Sequence, residues 1–89
     1  MQKSLQIIVS GRVQGVGFRY FTRKVAMAKG LEGFVKNLSN GDVYIEVQGP
    51  QDRVASFTEE IKRGPILSRI DKMIVNEVIL QEYSGFEIQ

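Results

Sequence analysis

The sequence predicts an α+β sandwich of order β-α-β-β-α-β. Its antiparallel sheet of four to five strands carries two helices on one face. Three observations lead there. Short runs rich in β-branched residues are bounded by glycine, proline or asparagine. Two longer stretches repeat their apolar residues at helical spacing. An Asn40-Gly41 dipeptide sits between two of the strand-like runs, where a hairpin needs its turn.

Taken in order, Ser4 to Ser10, "SLQIIVS", reads as a strand stopped at Gly11. After a glycine-rich loop the period changes. Phe18, Phe21, Val25 and Ala28 fall at i, i+3, i+7 and i+10, an apolar helical stripe, and Gly30 closes it after Lys24 and Lys29. "LEGFVKNL" and "VYIEVQG" then flank "SNGD" as the two arms of a tight hairpin, both turn residues at positive φ. Val43, Ile45 and Val47 share one face of the second arm, with Tyr44, Glu46 and Gln48 on the other. Pro50 opens a second helix with Asp52 in its first turn, Val54, Phe57 and Ile61 as its stripe, and Gly64-Pro65 as its end. The remainder, Ser68 to Gln89, is extended and forms either one long edge strand or two short ones, "FEIQ" closing the sheet. Phe18, Phe21, Val25, Phe57 and Ile61 are expected in the core. This order describes the ferredoxin-like sandwich, which hosts many activities and by itself selects none.

Eighty-nine residues are expected to form a single domain, 1–89, with one small core. The chain has no Cys and no His. A thiol nucleophile, an imidazole base and the usual zinc sites are therefore excluded, and no disulfide framework supports secretion. No pair of acidic residues stands out as a metal site, and no cofactor is expected. The apolar run from Leu5 to Val9, broken by Gln6, is too short for a leader or a membrane span. The expected location is cytoplasmic. A net charge of +2 suits a small anion and falls short of a nucleic-acid-binding surface.

The costly segment is Gly11, Arg12, Val13, Gln14, Gly15, Val16 and Gly17, three glycines in seven residues. Two readings compete: a plain turn, or a loop whose N–H groups converge on an anion. The loop leads from a strand into a helix, whose first turn has unpaired N–H groups and partial positive charge. It can form a nest for phosphate or carboxylate oxygens, and Arg19 can add a bidentate contact. Nucleotide fingerprints fail, because Tyr20 stands where the dinucleotide motif needs glycine and no Walker sequence exists. Arg12 reads as an outward, solvated side chain, and Arg23, four residues after Arg19, as a surface residue. Asn37, three residues before Asn40-Gly41, reads in isolation as hairpin chemistry.

Two longer stretches change that balance. "GRVQGVGFR", Gly11 to Arg19, and "GFVKNLSNGDVYIEVQG", Gly33 to Gly49, resemble the two signatures of the acylphosphatases. The spacing between them, the following Gly49-Pro50 and the chain length agree as well. The resemblance covers essentially the whole chain and implies a hydrolase of acyl phosphates that uses neither metal nor cofactor. It implies that the Gly11 to Gly17 loop and Arg19 bind phosphate, and that Asn37 orients the attacking water. A monomer is expected, with inorganic phosphate as product and competitive inhibitor and with no nucleic-acid or membrane partner. The alternative is a non-catalytic phosphate- or RNA-binding module on the same fold. Against the RNA reading, "SLQIIVS" offers no aromatic residue for base stacking and "VYIEVQG" only Tyr44.

Overall fold

Leu5, Ile7 and Val9 alternate with Gln6, Ile8 and Ser10, and that period of two makes the first strand two-faced. In the structure, a computed structural model describing residues 1–89, β1 spans Gln2–Arg12 and buries Leu5, Ile7 and Val9. It is followed by α1 (Phe18–Ala28), β2 (Glu32–Asn37), β3 (Val43–Pro50), α2 (Gln51–Arg63), β4 (Arg69–Val78) and β5 (Phe86–Ile88). The strands form one sheet in the order β4-β1-β3-β2-β5. β1 pairs antiparallel with β3, Ile7 opposite Ile45, and with β4, Ile7 opposite Val75.

The sheet is mixed, not wholly antiparallel as expected. β5 runs parallel to β2, with Gly33 opposite Phe86 and Val35 opposite Ile88. The segment Ser68 to Gln89 divides in two. β4 takes the edge beside β1, the chain crosses the sheet, and β5 returns along the far edge in the direction of β2. No local pattern distinguishes a parallel from an antiparallel edge, because the direction depends on where the crossing emerges.

The core lies between the sheet and the two helices. Val43, Ile45 and Val47 of β3 are fully buried, as are Val54, Phe57 and Ile61 of α2. Each such side chain contributes about 1.5–3 kcal/mol of burial free energy. Phe86 of β5 joins them, its ring centroid 6.3 Å from that of Phe57. On α1 the buried set is Phe18, Thr22, Val25 and Ala26, while Phe21 is half-buried and Ala28 is exposed. The expected stripe was rotated because Thr22 reads as polar. Its hydroxyl donates to the Phe18 carbonyl at 2.8 Å, which leaves only its methyl to be buried.

The helix ends follow from their residues. Gly30, at φ 67°, donates to the Met27 carbonyl, and Leu31 donates to that of Ala26, a Schellman closure of α1. Lys29 ties this end to α2 through Glu60 at 2.6 Å. The hairpin departs from expectation. Only Gly41 has positive φ, and the turn is five residues wide, closed where Leu38 N–H donates to the Asp42 carbonyl at 2.8 Å. Asn40 serves through its side chain instead, accepting from Asp42 N–H at 3.0 Å.

The crossing between β4 and β5 lies over the outer face of the sheet, fastened by polar contacts. Gln48 bonds Gln81 twice, Nε2 to the carbonyl at 2.7 Å and Oε1 from the N–H at 2.8 Å. Glu46 accepts from the hydroxyls of Tyr83 and Tyr44, each at 2.6 Å. Burial, then the Glu46 carboxylate, push the Tyr83 phenol from its ordinary 10.0 up to about 12, and the same two causes raise Tyr44. Because these phenols ionise earlier in the unfolded chain, unfolding releases protons at high pH. Their contribution is full below pH 10 and is lost as pH rises toward 12. The urea midpoint is therefore expected to fall across that window, and the fall to shrink in Tyr83→Phe. An equally steep fall in the variant would exclude Tyr83 as its source.

Candidate active site

β1 does not stop at Ser10. Its register with β4 shifts between Ser10 and Gly11, and pairing resumes with Gly11 opposite Ile70 and Arg12 opposite Arg69. Gly11 stands at φ 128°, and a Cβ there would collide with the Arg69 carbonyl oxygen. Its absent side chain thus serves the contact with β4. Gly11 and Arg12 are the last residues of the strand, not members of the loop, and Arg12 is exposed.

The loop itself runs from Val13 to Gly17. Val13 is buried and roots it in the core, and Val16 packs its side chain against the same cluster. Gln14 sends its amide Nε2 to the carbonyls of Leu38 and Asp42, each at 2.8 Å, which fastens the loop to the β2–β3 turn. Gly15 and Gly17 lie at φ 73° and 79°, and a Cβ on either would meet nothing within 4 Å. Here glycine is required for backbone conformation rather than for space.

Left-handed glycines alternating with ordinary residues turn successive N–H groups toward one side. From Gln14 to Tyr20 no main-chain N–H donates to an acceptor in the protein. Gly17 caps α1 without a side-chain hydrogen bond, and the first turn has no acidic residue. The positive end of the helix is thus left free for an anion.

These groups border a cavity of about 120 Å³. The loop contributes Val13, Gln14, Gly15 and Gly17, and the first turn of α1 contributes Phe18, Arg19 and Tyr20. Asn37, the last residue of β2, completes the wall, and its side chain makes no hydrogen bond to the protein. No Asp or Glu lines the cavity. Arg19 Nη1 donates to the main-chain oxygen of Gln89 at 2.9 Å, a contact spanning 70 residues. Arg23, expected on the surface, is exposed but holds the Phe86 carbonyl through Nε at 3.1 Å.

Of the residues expected at the site, the structure brings together Val13, Gln14, Gly15, Gly17, Arg19 and Asn37. It leaves Gly11, Arg12 and the Val16 side chain outside the lining. Sequence reasoning missed the fastening role of Gln14, the carbonyl partner of Arg19 and the place of Tyr20. None of these has a local signal, since Gln14 and Arg19 act on residues far along the chain.

The acylphosphatase family model matches residues 5–88. The chain belongs to the acylphosphatase family. It is 45% identical over 85 residues to the acylphosphatase of Archaeoglobus fulgidus, covering 96% of both chains. Against that of Thermotoga maritima it is 40% identical over 87 residues, covering 98% of this chain and 97% of the relative. The crystal structure of acylphosphatase from Bacillus subtilis superimposes with a TM-score of 0.95 at 41% identity, covering 100% of this chain and 99% of that one. The chain is accordingly an enzyme, a hydrolase that splits acyl phosphates into carboxylate and inorganic phosphate.

One glycine isolates the acylphosphatase loop's backbone from its packing. Gly15→Ala introduces no collision, so its stability cost is expected to be only the left-handed strain of about 1–2 kcal/mol. If the loop relaxes, its donors turn away, and kcat/KM on an acyl phosphate should drop about 100-fold. Urea unfolding and initial rates on the same variant check both parts. Full activity would show that the donor array does not depend on this conformation.

Proposed function

We propose that the loop amides from Gln14 through the first turn of α1, together with Arg19, hold the phosphoryl group, and that Asn37 orients the attacking water. The observation that supports this reading is the meeting of an unpartnered run of N–H donors, one guanidinium and one free amide side chain around a single cavity without acids. Gly11 and Arg12, which lie in β1, are left out of the binding set.

The chemistry suits the residues available. Attack at phosphorus expels a carboxylate, whose conjugate acid has a pKa of about 4, so no general acid is needed at neutral pH. What remains is positioning and stabilisation of charge on the equatorial phosphoryl oxygens. Preorganised N–H groups and Arg19 supply the stabilisation. The Asn37 side-chain oxygen accepts a hydrogen bond from water and fixes its line of approach. Inorganic phosphate, the product, competes for the same donors. We take the enzyme to act as a monomer in the cytoplasm, since a chain without cysteine needs no oxidising compartment. An RNA-recognition role finds little support on the outer face. Phe34 and Tyr44 of the sheet and Tyr83 of the crossing segment do gather there, but they pack against one another beside Glu46.

The test follows benzoyl phosphate by ultraviolet absorbance in EDTA, with and without inorganic phosphate. Rapid hydrolysis, inhibited competitively by phosphate, is expected. Arg19→Gln should lose more than about 1000-fold in kcat/KM, and Asn37→Ala about 100- to 1000-fold, carried by kcat. A folded Arg19→Gln with unchanged turnover would sink the assignment.

A further inference from the structure

The cavity, about 120 Å³, is small and opens to solvent. The phosphoryl group and the attacking water occupy its donors. The acyl portion must therefore leave through the mouth, and the side chains there decide what it meets.

Most of the lining is already committed. Val13 and Phe18 are buried in the core, and the Gln14 amide is held by two carbonyls. Arg19 and Asn37 face the phosphoryl group and water in the reading above. Tyr20 remains. It lines the cavity one residue beyond Arg19, and it is 74% exposed. Its ring has no aromatic partner and its hydroxyl makes no hydrogen bond to the protein. A single exposed apolar side chain on a surface needs no explanation. This one differs from Met27, Ile66 or Ile79 because it borders the anion cavity, where a bound acyl group must emerge. An uncovered aromatic face gains from being covered, most of all by a flat or extended apolar group.

We propose that Tyr20 is the acyl-side contact of the site and biases it toward acyl phosphates with an aryl or extended apolar acyl group over acetyl phosphate. The inference rests on the phosphoryl-binding role assigned to the cavity.

The test compares kcat/KM for benzoyl phosphate and acetyl phosphate in the native chain, Tyr20→Ala and Tyr20→Phe, each shown folded by circular dichroism. The benzoyl-to-acetyl ratio is expected to fall about fivefold in Tyr20→Ala, through the KM for benzoyl phosphate, and to return in Tyr20→Phe. An unchanged ratio, or equal losses on both substrates, overturns the proposal. A native chain that hydrolyses neither substrate overturns the phosphoryl-transfer reading instead. Calorimetric binding of phenylphosphonate and methylphosphonate then decides on Tyr20 separately. A Tyr20→Ala loss confined to the phenyl compound upholds the contact, and equal weakening or none removes it.

Discussion

Seven successive main-chain N–H groups, Gln14 to Tyr20, donate to no acceptor within the protein. Unpaired donors are costly wherever water is excluded, and a loop left to itself would curl to satisfy them. Here it cannot. Val13 is sunk in the core at one end, and α1 begins at the other with Phe18 buried. Gln14, beside Val13, pins the same end to the β2–β3 turn. α1 is in turn fixed at its far end by the Gly30 closure and by Lys29 on Glu60. The donor array is therefore anchored at both ends, which favours preorganisation.

The same constraint explains the connection between distant parts of the chain. Arg19 rises from the helix and Asn37 ends a strand, and neither position alone marks a site. Gln14 joins the loop to the turn just beyond Asn37, so the loop and β2 cannot shift independently. Arg19 is held by the main-chain oxygen of Gln89, the residue that follows β5. β5 is thereby part of the site's construction, and Arg23 on Phe86 gives the strand a second hold on α1. No Asp or Glu lines the cavity to compete with an incoming anion.

How much of this was legible depended on whether the cause was local. The stripe of α2, the face of β3 and the stop at Gly30 are written in neighbouring residues, and the structure repeats them. Arg19 and Asn37 became legible only as parts of two long signatures, because alone they are ordinary helix and turn residues. Thr22 is absent from the expected stripe because threonine reads as polar, yet its hydroxyl is satisfied by its own helix. Gly11 was misplaced in the loop because a glycine serving strand contact looks the same as one serving a turn. The parallel β5 and the partners of Gln14 depend on the path of the whole chain and left no trace in any window.

The place of β1 has a further consequence, for how the molecule comes to be folded. Ser4 pairs with Gln48 on one side and with Val78 on the other, so this interior strand draws both partners from far along the chain. Contacts so far apart along the chain close slowly, since the entropy of the intervening loop is lost before pairing offsets it. Until residues 69–78 arrive, one edge of β1 stands open, a surface on which another growing chain can pair. The strand that leads into the site thus depends on contacts that close only after most of the chain is present.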